Sequence, residues 1–377
     1  MLATIQRLVT QGHALEIFLR LRPADPSGMV RPPAYSIDGG PFAPLVQARY
    51  LNGQAVPTVL LDSVESQANR QEMSLYRHVP ELPDVVLELS DGRQVSQYEA
   101  PGRILDALFR EATLDGIPFH ETPLFQEIAK GGEVAERALF RYCPVILAYG
   151  GWLSYGDISP EVAPKWARLV AVEILGLRPQ PAYRTSSRVD PLGIPGDLPL
   201  PEALQQRLKT EGKKGKLSET GLGRIPPSAA PMDVAVEGAV LVGAVSLAGL
   251  RALRLPPEAQ QVLLTLILLG LALQHRQGYR LRSNTDLIPE ENCFKVRVLP
   301  GGEEIRLEVE PLMQALQNLL EQLPEDLRWP KDRLILKANN TLEELYKNAL
   351  MGKAERAEAK RRKKAPGPAE PERTGEE

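Results

Sequence analysis

The chain is poor in the residues that build reactive or cross-linked sites. Two cysteines, Cys143 and Cys293, stand far apart in 377 residues. That excludes a disulfide framework and points to a reduced, cytoplasmic protein. The four histidines, His13, His78, His120 and His275, are isolated, with no partner at ligand spacing and no CxxC. A structural or catalytic metal is therefore not expected. The glycine pairs fit neither a Walker loop nor a dinucleotide fingerprint, and GGWLSYG (150–156) is not a nucleophile elbow. No catalytic residue and no cofactor is expected. Aromatic residues make up only 5% of the chain, too few for a broad stacking platform. The most apolar run, 262–273, is too short to cross a bilayer and reads as a buried helix. The N-terminus lacks a basic-then-apolar leader, so neither export nor a membrane partner is expected. A net charge of −3 does not announce a nucleic-acid binder, although a whole-chain sum can hide a basic groove.

Proline is abundant, with 34 residues, and hydrophobic content is an ordinary 43%. Together they describe a globular chain with long loops between its elements. Residues 1–350 read as one domain with insertions at about 23–58 and 178–231. Residues 351–377 read as a disordered charged tail with a basic block at 353–364. Segment 14–21 reads as an edge or first strand, with Arg20 and Arg22 at its end. Asp91-Gly92 marks a hairpin, 104–112 a short helix, and 144–148 an apolar strand after a helix. Residues 165–177 fit either strand or helix. Residues 234–250 read as one buried strand, 257–276 as a helix with proline in its first turn, and 278–284 as a strand. In the last, Arg280 and Arg282 share a face. A hairpin is expected at 300–302 and helices at 310–322 and 341–350. Over 178–231 periodicity disappears. Arg184, Arg188, Lys209, Lys213, Lys214, Lys216 and Arg224 are spread through it, in either a flexible segment or a nucleic-acid-contacting finger.

The most informative stretch is 57–72, PTVLLDSVESQANRQE. A short apolar strand runs into a helix that Asp62 can cap, with Glu65 completing a capping box. Ser63, Ser66, Gln67 and Arg70 then share one face, opposite a narrow apolar stripe of Val64, Ala68 and Leu75. Such a face is either solvated or suited to a phosphate chain near the helix N-terminus. Trp152, between glycines and a loop, reads as a core residue or as a wedge between nucleotides.

LDSVESQANRQE (61–72) resembles a signature of the CRISPR-associated RAMP superfamily, in particular the Cas seven-type backbone subunits of type I-G (formerly I-U) surveillance complexes. FREATLDGIPF (109–119), CPVILAYGGWLSYG (143–156), WARLVAVEILGL (166–177), RVDPLGI (188–194), KLSETGLGRIPP (216–227) and LRSNTDL (281–287) follow in matching order. The resemblance spans roughly 12–290. It implies an α+β fold: an RRM-like (ferredoxin-like) palm enlarged by finger and thumb insertions. Its elements would be strands near 14–21, 144–149, 234–249 and 278–284 and helices near 62–76 and 257–276. It implies a non-catalytic subunit that polymerises along a guide RNA (crRNA). Its partners would be further copies, other effector subunits, a target DNA strand paired to the guide, and a recruited nuclease-helicase. The expected RNA contacts are Ser66, Gln67, Asn69 and Arg70, Arg20 and Arg22, Arg280, Arg282, Ser283 and Asn284, with Trp152, Arg184 and Arg188. Two alternatives stay open. One is a RAMP-type ribonuclease using an aspartate such as Asp38, Asp157 or Asp190. The other is a protein-only scaffold.

Overall fold

A computed structural model describes residues 1–153 and 163–351. Asp157 and the basic block at 353–364 lie outside the described residues. The chain is a mixed α+β protein, divided into two compact units. The first comprises 1–184 with 230–339, the second 185–229 with 340–377.

The first unit is built on a nine-stranded sheet. Helix α1 (Leu2–Gln11) leads into β1 (Ala14–Pro23). A hairpin of β2 (Val46–Leu51) and β3 (Gln54–Asp62) feeds helix α2 (Val64–His78). Strands β4 (Val170–Leu177) and β5 (Gly238–Ser246) follow, then helix α3 (Pro257–Gln277). The sheet ends with β6 (Tyr279–Arg282), β7 (Thr285–Pro289), β8 (Phe294–Leu299) and β9 (Glu304–Leu307), before helix α4 (Val309–Glu321). The order is β6-β7-β1-β5-β4-β3-β2, with β8 also on β1 and β9 on β8. Every pairing is antiparallel.

Period-two alternation explains which face is covered. Leu15, Ile17, Leu19 and Leu21 of β1 are buried on one side, whereas Phe18 is half-buried and Arg20 and Arg22 are exposed on the other. Helix α3 is buried nearly all round from Ala259 to Gln274 and packs against α1, α2 and α4. By length and composition it could cross a membrane, but 83% of its apolar window is buried inside the protein. That marks it as the core helix, longer than the apolar run alone suggests. The reverse face carries only a small cluster, Leu60, Leu175 and Val240, with Phe18 and Val242 against it. A smaller five-stranded sheet in the same unit includes the hairpin expected at Asp91-Gly92, formed by Val85–Glu88 and Gln94–Ser96.

Several expectations need correction. Residues 144–148 are not a strand: Pro144–Tyr149 is a helical turn with proline at its start. All six of its residues are buried, and an apolar run buried on every side carries no period that separates helix from strand. Residues 234–250 are not one strand. They divide at 236–237 into the end of Ile225–Ala235 and β5, and Ser246 then caps a helix, Leu247–Ala252. Segment 104–112 is not one helix but a 3-10 turn, Arg103–Leu105, a single α-turn, Ala107–Arg110, and the start of a strand. Strand β1 is the first strand of the chain and not an edge strand, since β5 flanks it on one side and β7 and β8 on the other. Nor is 178–231 without regular structure. It holds the strands Gln180–Arg188 and Ile225–Ala235 and a helix, Glu202–Thr210. The hairpin at 300–302 and the helices after it stand as expected.

Candidate nucleic-acid interface

At the junction of β3 and α2 lies a buried carboxylate. Asp62 is 1% exposed, and it is not the helix cap. Ser63 is the cap, accepting from the Ser66 N–H. Asp62 instead accepts from Ser66 Oγ at 2.9 Å, Gln67 Nε2 at 2.6 Å, Arg70 Nε at 2.9 Å and Arg282 at 3.3 Å. Two guanidiniums on one carboxylate satisfy its lone pairs and leave one net positive charge. Burial lowers the pKa of Arg282 against the pull of Asp62.

The same arginines tie distant strands together. Arg70 donates to the carbonyls of Arg280 (3.3 Å) and Leu281 (2.9 Å), and Arg282 to that of Leu61 (2.8 Å). Strands β3 and β6 lie far apart along the sheet path, so these bonds require the sheet to curl until its β6 edge meets the start of α2. Gln67, fully buried, gives its amide to Asp62 and accepts from Gln274 at 2.8 Å.

The curl leaves a groove of about 490 Å³ between α2 and β6. Ser66, Asn69, Arg70, Arg77 and Arg280 line it. Asn69 and Arg77 are exposed, and the Arg280 side chain is 81% exposed. Arg280 is 3.8 Å from an exposed Asp286, a pairing worth little in water. By strand register Arg280, Asp286, Ile288 and Arg22 lie on one face of the sheet, and Arg20 shares it. Ser283 and Asn284 sit exposed at the β6–β7 turn, with Asn284 at φ +59°.

The structure therefore brings together Ser66, Asn69, Arg70 and Arg280, and places Arg20, Arg22, Ser283 and Asn284 on the exposed side of neighbouring strands. Gln67 has no surface to offer and cannot touch an RNA. Arg70 and Arg282 are committed to Asp62 and backbone carbonyls. Arg184 pairs with Asp233 at 2.8 Å, beside Arg31. In the second unit Arg188 lies 3.7 Å from Asp190. Burial opposes the charge of Asp190, yet N–H donors of Leu192, Gly223 and Ile194, with Arg188, hold its pKa below the usual range. That is the work of a loop organiser. Asp38 sits in an exposed turn. Trp152 is not in the core: it is 56% exposed. Arg77 was missed by sequence reasoning. Its signal was present, because it follows Arg70 by two helical turns on the same face.

Residues 15–180 match the family described as CRISPR-associated protein GSU0053 (Cas_GSU0053). This part of the chain is similar to a CRISPR-associated family. The matched segment contains β1, the Asp62 junction and all of α2, and ends beyond β4. The chain is also similar to the crystal structure of Thermofilum pendens Csc2, at 10% identity and a TM-score of 0.32, over 81% of this chain and 82% of that one. No curated protein matches it.

Proposed function

We propose that this protein is a non-catalytic, guide-RNA-binding backbone subunit of a type I CRISPR interference complex. The observation that carries the reading is the groove between α2 and β6, where exposed Arg77 and Arg280 stand beside Ser66 and Asn69. Cations with small polar groups suit phosphates and 2′-hydroxyls, and such contacts position a strand without reading its bases. The groove opens near the sheet face that bears Arg20 and Arg22, so one strand of RNA can follow both.

The palm of this subunit is RRM-like. The order of strands and helices supports that: β1, α2, β4, β5, α3 and β7/β8 follow in the chain, and the sheet order is β7/β8-β1-β5-β4. That is a β-α-β-β-α-β arrangement with antiparallel neighbours. The 178–231 excursion, with exposed Lys214, Lys216 and Arg224, serves as the finger or thumb. Successive copies assemble head to tail into an open helix, alongside other effector subunits. Each copy holds a few nucleotides, and target DNA is read by guide pairing while the protein supplies shape and charge. Cutting belongs to a recruited nuclease-helicase.

Purification from its native host tests the reading. The expected result is a multi-subunit particle carrying RNA of uniform length. A nucleic-acid-free monomer, recovered while guide is abundant, contradicts it.

A further inference from the structure

A second groove in the first unit, of about 700 Å³, lies against Trp152 and is unconnected with Asp62. Trp152 pairs with Lys165 across a short antiparallel ladder, and the Lys165 ammonium lies 4.6 Å from the indole centroid. Ladder and cation–π contact together hold the indole at the surface, although a half-exposed tryptophan forgoes part of its burial energy. Its neighbour Trp166 is buried.

The same groove carries a basic rim. Lys130 and Arg254 line the groove, and among the described residues neither forms an ion pair. Gly132, at φ +64°, lets the Arg254 guanidinium lie against the backbone, since an added Cβ would come within 2.7 Å of it. Among the described residues the acidic one on the groove is Glu136, which accepts from the Arg254 backbone N–H and interacts with the Arg254 charge. Among the described residues the groove thus joins the Trp152 face to three cations and one carboxylate.

We propose that this groove is a second site for single-stranded nucleic acid, with a base stacked on Trp152 and flanking phosphates on Lys130 and Arg254. The proposal rests on the nucleic-acid-binding reading above and adds a place where a base, not only the backbone, is held. Every base has a π-face, so the site tolerates any sequence.

Titration of the full chain with short oligouridylate and oligothymidylate, followed by tryptophan fluorescence and anisotropy, tests it. Trp152→Ala should weaken binding about 5- to 150-fold, the loss of one base–aromatic stack, at an unchanged thermal midpoint. Trp152→Phe should keep most of the affinity. Lys130→Gln with Arg254→Gln should flatten the log–log salt dependence by about 1.4. Equal losses on both polymers assign the site to base and phosphate, whereas a loss on one alone assigns it to that polymer. Wild-type affinity for Trp152→Ala, with binding lost in Arg77→Ala/Arg280→Ala, overturns this site and leaves the guide-RNA reading standing. Equal loss in the Ala and Phe variants also overturns stacking. A wild-type chain that binds neither polymer overturns both.

Discussion

At the scale of single residues, position on a helix face says less than what the side chain meets. Arg70 and Arg77 lie on one face of α2, yet Arg70 is held on Asp62 and two carbonyls, whereas Arg77 faces the groove. Arg70→Ala should lower stability by about 1–3 kcal/mol, because a buried carboxylate loses one of its two guanidiniums. Arg282 and the partial exposure of Arg70 keep the loss below that of an isolated buried pair. Arg77→Ala should change stability by less than about 0.5 kcal/mol while weakening RNA binding. Urea unfolding and filter binding of the two variants, side by side, check the contrast. The polar stripe of 63–70 was legible in the sequence. Its target was not, because an aspartate just before a helix has the same pattern as a cap or as a buried acceptor, and only the curled sheet brings Arg282 to it.

At the scale of elements, the end of α3 carries a pH-sensitive contact. His275 stacks on Phe294 of β8, with ring centroids 5.4 Å apart, and lies 3.2 Å from the Tyr279 hydroxyl of β6. Burial lowers its pKa from 6.5, against a raising contribution from the Asn292 backbone. The unfolded chain therefore takes up this proton before the folded one does. Its contribution to stability is complete above about pH 6.5 and is lost as pH falls from there to the lower folded-state value. Stability measured by urea unfolding across this window should drop for wild type and drop less for His275→Gln. An identical slope in both would contradict the assignment. Long elements with a clear period or cap, such as α2, α3 and the 300–302 hairpin, were legible. Short apolar runs were not. Residues 144–148 pack on every side, and 234–250 breaks at Val236-Glu237 with only Gly238, one of several small residues in an apolar run, to mark it. The strands of 178–231 are largely exposed and carry little alternation, so composition alone could not find them.

At the scale of the whole molecule, a modest net charge conceals a local arrangement. Exposed Arg20, Arg22 and Arg280 share one sheet face with Glu16 and Asp286, and Arg77 borders the groove beside it. Such clustering steers and holds a polyanion even when the total charge is near zero. The most direct test is guide-RNA affinity as a function of salt, for wild type and for Arg77→Ala/Arg280→Ala. If the groove between α2 and β6 tracks the ribose-phosphate chain, the double variant binds all sequences more weakly and its log–log slope falls by about 1.4, two phosphates at ~0.7 each. Unchanged affinity and slope would contradict the account.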